Sequence, residues 1–404
     1  MIREGRTRKA VLCIVALAVA AACLAFAFIH PAASTVRQDV ALSHDVPGPV
    51  ELPVPLELPV PEDGTAYYGV QLDWQQDSVA GYASRFGATP AMFGRYVSFP
   101  LTPEEEKEVG EEVAALASAH SAMMLTLEPR NGLDTITPAV LATFSQQLTA
   151  WTRKGVPVMV RFAHEMNGSW YAWGQQPALF IEKFRQVAAA VHTVPGSTML
   201  WSPNEGGSYP FPGGPHEAKP GTTAFSALDT NGDGKLSMDD DPYSPYWPGD
   251  DAVDWVGLTL YHFGDVYPWG ENETPEPGKL AAKITGTYKS GLVDETAVPD
   301  FYATYAAGHA KPFAISETAA LYNTARTDGA AALDIKSAWW NQLFDPAFST
   351  RFPLLKLALW FEYTKEETEP ANQVIDWRAT ADPATLARFR EAVPSRFIMA
   401  PLRG

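Results

Sequence analysis

Cysteine is nearly absent. The 404 residues contain two, Cys13 and Cys23, so beyond position 23 the chain has no disulfide and no cysteine metal ligand. Positive charge is scarce as well: 30 Lys and Arg stand against 47 Asp and Glu, a formal charge of −17. With no basic run beyond the N-terminus, such a surface repels phosphate backbones and anionic membranes, which argues against nucleic acid as a partner. A zinc-peptidase signature is also missing. HEMNGSWYAWG at 164–174 opens with His-Glu, but the second imidazole of H-E-x-x-H would fall at Gly168. What the chain has in surplus is aromatic, with 12 Trp, 15 Tyr and 20 Phe in a composition 46% hydrophobic, ample for a large core.

Arg3, Arg6, Arg8 and Lys9 precede an uncharged run from Ala10 to Ile29. Its length suits a membrane-spanning anchor better than a cleaved signal, although HPAAS at 30–34 offers small residues for cleavage. The basic flank keeps the N-terminus cytoplasmic and places the remainder outside, anchored or secreted. Residues 31–63 carry ELPVP at 51–55 and again at 57–61, which reads as a semi-rigid polyproline II spacer. Residues 64–404 then form the folded domain, expected as a monomer.

From Tyr67 onward short apolar runs alternate with helical stretches, the pattern of parallel strands with crossover helices. Strands are expected at 68–74, 91–99, 122–129, 156–165, 198–205, 253–261, 312–319 and 355–363. Eight of them close a (β/α)8 TIM barrel in the α/β class. Helices are punctuated by Asp77 and Gly87, by Thr102-Pro103-Glu104-Glu105, by Thr137-Pro138 and by Pro177, with a last one at 382–393. Phe180, Phe184, Val187 and Val191 recur at helical spacing and should face the barrel.

A barrel of this kind does its chemistry at the C-terminal ends of its strands. Glu165 and Glu317 end the fourth and seventh apolar strands, where a charge needs a reason. Those strands face each other across the mouth, so the carboxyls can approach to about 5 Å, the spacing of a retaining glycosidase pair. His164 can hydrogen-bond within the site. Asp73, Arg161, Asn167 and Asn204 are placed to meet sugar hydroxyls, and Trp170, Trp173, Tyr261 and Trp360 to offer ring faces; Trp173, Trp201 and Trp360 read equally well as core, Trp170 less so because of its place in the motif. Glu128, Glu205 and Glu362 read as ordinary loop carboxylates.

At these residues a family resemblance emerges. RFAHEMNGSWYAWG resembles the acid/base segment of glycoside hydrolase family 26, in which a strand ends R-x-x-H-E-M-N-G-x-W-Y-x-W-G. KPFAISETA is similar to that family's nucleophile strand, and PGDDAVDWVGLTLY to its sixth strand. The resemblance covers about residues 65–395. It implies a (β/α)8 barrel that hydrolyses β-linked polysaccharide with retention and needs no catalytic cofactor. Glu165 would be the acid/base, Glu317 the nucleophile, and Trp170, Tyr261 and Trp360 would line subsites. Mannan-hydrolysing members usually follow the eighth-strand tryptophan with arginine and carry a histidine in the third-strand loop; here Phe361 and TLEPRNG stand instead. WFEYTKEE and VIDWRA look closer to lichenase-like branches. β-Mannan is thus the family default, with mixed-linkage β-glucan and β-1,3-xylan open. A barrel that binds envelope glycan without cleaving it is the rival reading.

Between the fifth and sixth strands, DTNGDGKLSMDD at 229–240 matches a twelve-residue calcium loop. Asp229, Asn231 and Asp233 fall at positions one, three and five, Gly234 at six, the Lys235 carbonyl at seven, Ser237 at nine and Asp240 at twelve. Only the last departs from pattern, being Asp rather than Glu. No long amphipathic helices flank it, so a bound Ca²⁺ would staple an insertion rather than switch one.

Overall fold

The computed structural model describes residues 56–402, apart from 266, 268 and 369–371. The expected export segment, and the spacer up to residue 55, lie outside the described residues.

Strands β1 (Ala66–Leu72), β2 (Met92–Ser98), β3 (Ala122–Glu128), β4 (Val158–Phe162), β5 (Ser197–Trp201), β6 (Trp255–Thr259), β7 (Phe313–Thr318) and β8 (Leu355–Glu362) pair in parallel and in sequence order. β1 then pairs with β8, from Tyr67 opposite Leu357 to Leu72 opposite Glu362, and closes the barrel. The strands read as unbroken apolar runs because helices cover their outer faces and side chains fill the interior.

The outer layer comprises α1 (Val79–Phe86), α2 (Pro103–Ala119), α3 (Pro138–Thr152), α4 (Pro177–Val191), α5 (Thr223–Leu228), α6 (Lys279–Ile284), α7 (Ala332–Phe344), α8 (Pro346–Arg351) and α9 (Pro383–Ala392). Thr102 and Glu105 cap α2 reciprocally, and Phe180, Phe184, Val187 and Val191 of α4 are buried. Ser78, rather than Asp77, caps α1 by accepting from the Gly81 amide; Asp77 instead pairs with Arg85 at 2.5 Å. A hairpin of β9 (Thr364–Glu367) and β10 (Gln373–Asp376) follows β8, and β11 (Phe397–Ile398) lies beside β1. None of these three strands was expected from the sequence.

The lower interior is apolar and packs Met92, Met124, Met159, Leu200, Leu357 and Leu359. Leu56 and Leu58 pack against this floor from below. Glu57 accepts from the Gly196 amide, the Tyr67 hydroxyl donates to the Pro59 carbonyl, and Asp63 pairs with Lys356 at 2.7 Å. The end of the proline-rich stretch is therefore part of the barrel's base, and the folded unit starts before residue 64. Above the floor, Gln71 spans the interior and donates to the Ser316 carbonyl. Gly94 faces it, and a Cβ there would sit 1.7 Å from the Gln71 amide oxygen.

Candidate active site

Two local distortions aim the two glutamates. The fourth strand stops at Phe162, earlier than expected, because Ala163 (φ 48°) and Glu165 (φ 53°) take left-handed conformations. The Ala163 amide still donates to Leu127 and the Glu165 amide to Ser202, so neighbouring strands hold the kink. Such backbone costs about 1–3 kcal/mol per residue and persists where the surroundings over-determine it. On β7 the register slips between Ile315 and Thr318. In a regular strand successive side chains alternate faces. Here the Ser316 hydroxyl meets Ser202 and the Leu258 carbonyl inside the barrel, and Glu317 nonetheless points into the mouth.

One carboxylate oxygen from each glutamate and a ring nitrogen of His164 lie within 4.8 Å of one another. The two carboxyls have different surroundings. Glu317 accepts from Arg161 at one oxygen and from the Tyr261 hydroxyl, at 2.7 Å, at the other. Burial, the largest single influence, would raise its pKa, but the fully buried Arg161 guanidinium, His164 and the hydrogen bonds from Arg161 and Tyr261 together outweigh it and hold it at about 2. Glu165 accepts from the Trp170 indole N–H at 3.0 Å, with the Thr259 hydroxyl also within reach. Burial, reinforced by the Glu317 charge, raises it to about 7. Below about pH 7 the site thus holds one ionised carboxylate and one protonated carboxylic acid. Burial and the Arg161 charge hold His164 at about 3, so its ring is neutral. These three groups have the proximity of a metal cluster, but both Glu317 oxygens already take donors and Arg161 supplies the cation.

Gly168, which broke the zinc motif, has a local role. A Cβ there would lie 2.3 Å from the Trp170 ring, so the indole reaches Glu165 only by crossing a bare backbone. Trp170 and Phe211 pack edge to face, 5.1 Å apart, on the Glu165 side. On the Glu317 side Tyr261 packs on Phe361, Phe263 and Trp377, and the rings continue through Trp269 to Tyr267, which is 68% exposed.

Other expected contacts are placed elsewhere. Trp360 is buried behind the sheet, packed on Trp340 and Phe389, with its N–H on the Trp377 carbonyl. Strand parity explains this: Leu357 and Leu359 fill the interior, so Phe361 faces the mouth and Trp360 faces the helices. Trp173 is 2% exposed, stacked on Tyr171 with its N–H on the His164 carbonyl, and serves as wall. Asn167 donates to the Asn204 carbonyl and accepts from its amide, which clamps the loops after β4 and β5 together. Asp73 accepts from the Gln75 amide and the Gln76 side chain in its own turn. Glu128 is held by Arg130, Glu205 by Lys283, and Glu362 by Thr380 and the Ala379 amide behind the sheet.

In the insertion, Asp229 accepts from the Asp233 and Gly234 amides, Asp233 from Lys235, and Asp240 from Thr230, Asn231 and Ser237. Gly234 takes φ 83°, as the sharp turn at the sixth loop position requires.

Two carboxyls in contrasting environments thus oppose each other at the C-terminal mouth of a closed (β/α)8 barrel. Residues 105–202, the stretch carrying Arg161, His164 and Glu165, match the model of Glycosyl hydrolase family 26. An endo-beta-1,4-mannanase double mutant from Cellulomonas fimi has the same fold, with TM-score 0.52, 17% identity, and coverage of 83% of this chain and 73% of that one. GH26C of a Muricauda species aligns with TM-score 0.50 at 16% identity, over 83% of this chain and 87% of its own. Among curated proteins, Endoglucanase H of Acetivibrio thermocellus is 23% identical over 288 residues. That match spans 68% of this chain but only 24% of the relative's length.

Proposed function

We propose that this protein is a retaining glycoside hydrolase acting on β-linked polysaccharide. The observation that carries this is the opposed pair, Glu165 protonated and Glu317 ionised, at a spacing that leaves no room for a water between nucleophile and sugar. Glu317, oriented by Arg161 and Tyr261, attacks the anomeric carbon while Glu165 protonates the departing oxygen. A glycosyl ester forms on Glu317. Glu165, now ionised, takes a proton from water, which attacks the same carbon and releases Glu317. Aromatic rings on both sides of the pair, Trp170 with Phe211 and the run from Tyr261 to Tyr267, suit a chain that extends beyond the cleaved bond in both directions. Endo cleavage of β-mannan or of a β-glucan fits this best, and the mannanase and endoglucanase names of the relatives agree with it.

The experiment is release of reducing ends from mannan, lichenan, β-1,3-xylan and cellulose derivatives, with Glu165→Gln and Glu317→Gln as controls. Activity with wild type and loss of about 10²–10⁴-fold with either variant is expected. Binding to one of these glycans without release by wild type would establish the non-hydrolytic barrel instead.

The same proposal gives the 229–240 loop a structural Ca²⁺, held by Asp229, Asn231, Asp233, the Lys235 carbonyl and Asp240. Its support is an oxygen-only donor set in the loop register and the left-handed glycine at position six. Chelator should lower the melting temperature; an unchanged melt with no ion in elemental analysis would remove it. The N-terminal basic and apolar run supports export, with the barrel outside the cytoplasm, anchored or released.

A further inference from the structure

Three neighbouring strands share an anomaly beside the nucleophile. Tyr96 of β2 is in register with Thr126 of β3, and Thr126 with Arg161 of β4. The Tyr96 hydroxyl, the Thr126 hydroxyl and the Arg161 Nε are each buried with no hydrogen-bond partner of normal geometry among the described residues, although the Tyr96 hydroxyl lies close enough to Glu317 to interact with it. His164 Nδ1, on the ring that packs 5.8 Å from the Tyr96 ring, is a fourth such atom. Buried polar atoms are nearly always satisfied, and each exception implies a missing partner. Four together, next to Glu317 and open to the mouth through the half-buried Tyr96, form a polar notch shaped for a hydroxyl group.

We infer that Tyr96 is a substrate-contacting residue that hydrogen-bonds the 2-hydroxyl of the sugar attacked by Glu317. The inference rests on the glycosidase assignment above. Glu317 bonds to the anomeric carbon, and the 2-hydroxyl, carried by the adjacent ring carbon, is the hydroxyl nearest to anything that flanks the nucleophile. A bond to that hydroxyl strengthens as the oxocarbenium-like transition state forms. Burial first, and the Glu317 charge second, push the Tyr96 phenol well above its ordinary pKa, so it remains a donor at every working pH. A sugar hydroxyl entering such a notch supplies the partner these groups lack. No residue of this notch other than Arg161 and His164 was legible as functional, because Tyr96 and Thr126 sit mid-strand rather than at a strand end.

The test compares wild type and Tyr96→Phe on aryl β-glycosides of mannobiose and cellobiose, and on the same compounds lacking the 2-hydroxyl in the attacked ring. Tyr96→Phe should lower kcat/KM by about 10- to 100-fold on the complete compounds and by less than about threefold on the deoxy ones. Equal losses on both sets, or no loss on either, overturn the inference. Should Tyr96→Phe fail to fold, wild type alone decides: a preference below about threefold for the complete over the deoxy compounds overturns it. Labelling of Glu317 in wild type by a 2-deoxy-2-fluoro glycoside, read by mass, tests the underlying glycosidase assignment separately. Absence of both label and hydrolysis removes that assignment and the Tyr96 contact with it.

Discussion

Glu165 is held at about 7 in the folded protein against 4.5 ordinarily, and the difference has a thermodynamic consequence. A carboxyl whose pKa is higher folded than unfolded weakens the fold as pH rises from the unfolded value to the folded one. The loss is complete above the folded value. At 1.36 kcal/mol per pH unit this amounts to roughly 3 kcal/mol above pH 8. Glu165→Gln removes the charge while keeping an acceptor for the Trp170 indole, so the variant should be more stable than wild type at high pH. A domain of about 350 residues has an unfolding entropy near 0.7 kcal/mol per degree, which converts 3 kcal/mol to about 4 °C. Calorimetry at pH 8.5 should show Glu165→Gln melting about 2–4 °C above wild type, and the gap should nearly vanish at pH 4, where Glu165 is protonated in both states. A gap independent of pH, or a variant less stable at pH 8.5, would refute the assignment of Glu165 as the destabilised acid.

Further outcomes are expected. The kcat/KM profile of wild type should fall on the basic side near pH 7 with deprotonation of Glu165, and stay high on the acid side because Glu317 ionises at about 2. Arg161→Lys, which loses the planar fork, should move the acid limb upward by about one to two pH units, read from the same profile. Trp360→Ala should cost about 3–5 kcal/mol in denaturant titration and leave KM unchanged in the folded fraction. Phe361→Ala, by contrast, should raise KM. A chain begun at residue 64 uncovers the floor against which Leu56 and Leu58 pack and should lose roughly 2 kcal/mol or more, seen as a lower melting temperature.

The barrel was legible along the chain because every strand is an apolar run bounded by turn residues, and such runs need no long-range information to be recognised. Glu165 and Glu317 were legible for a related reason: a carboxylate that closes an apolar strand violates the local pattern. The proline-capped helices at Thr102, Thr137 and Asp382 follow from local chemistry as well. Which way a side chain faces at a strand end was less accessible. Trp360 has the residue type of a sugar platform, yet one step of parity turns it into the helix layer and gives the position to Phe361. Trp173 and Asn167 stand in the same motif as Trp170, but the clamp to Asn204 and the stack on Tyr171 exist only once the loops after β4 and β5 meet.

The sequence by itself determined the eightfold alternation, the identity of the two carboxyls and the failure of the zinc pattern, all of which depend on near neighbours in the chain. The family resemblance implied that Glu165 is the acid/base and Glu317 the nucleophile; the physical cause of their different pKa values is found only in the tertiary structure. That division depends on Arg161 pairing directly with Glu317 across the barrel from 156 positions away, and on burial, which acts on both carboxyls and is overcome only at Glu317; at Glu165 the Arg161 charge offsets it only in part.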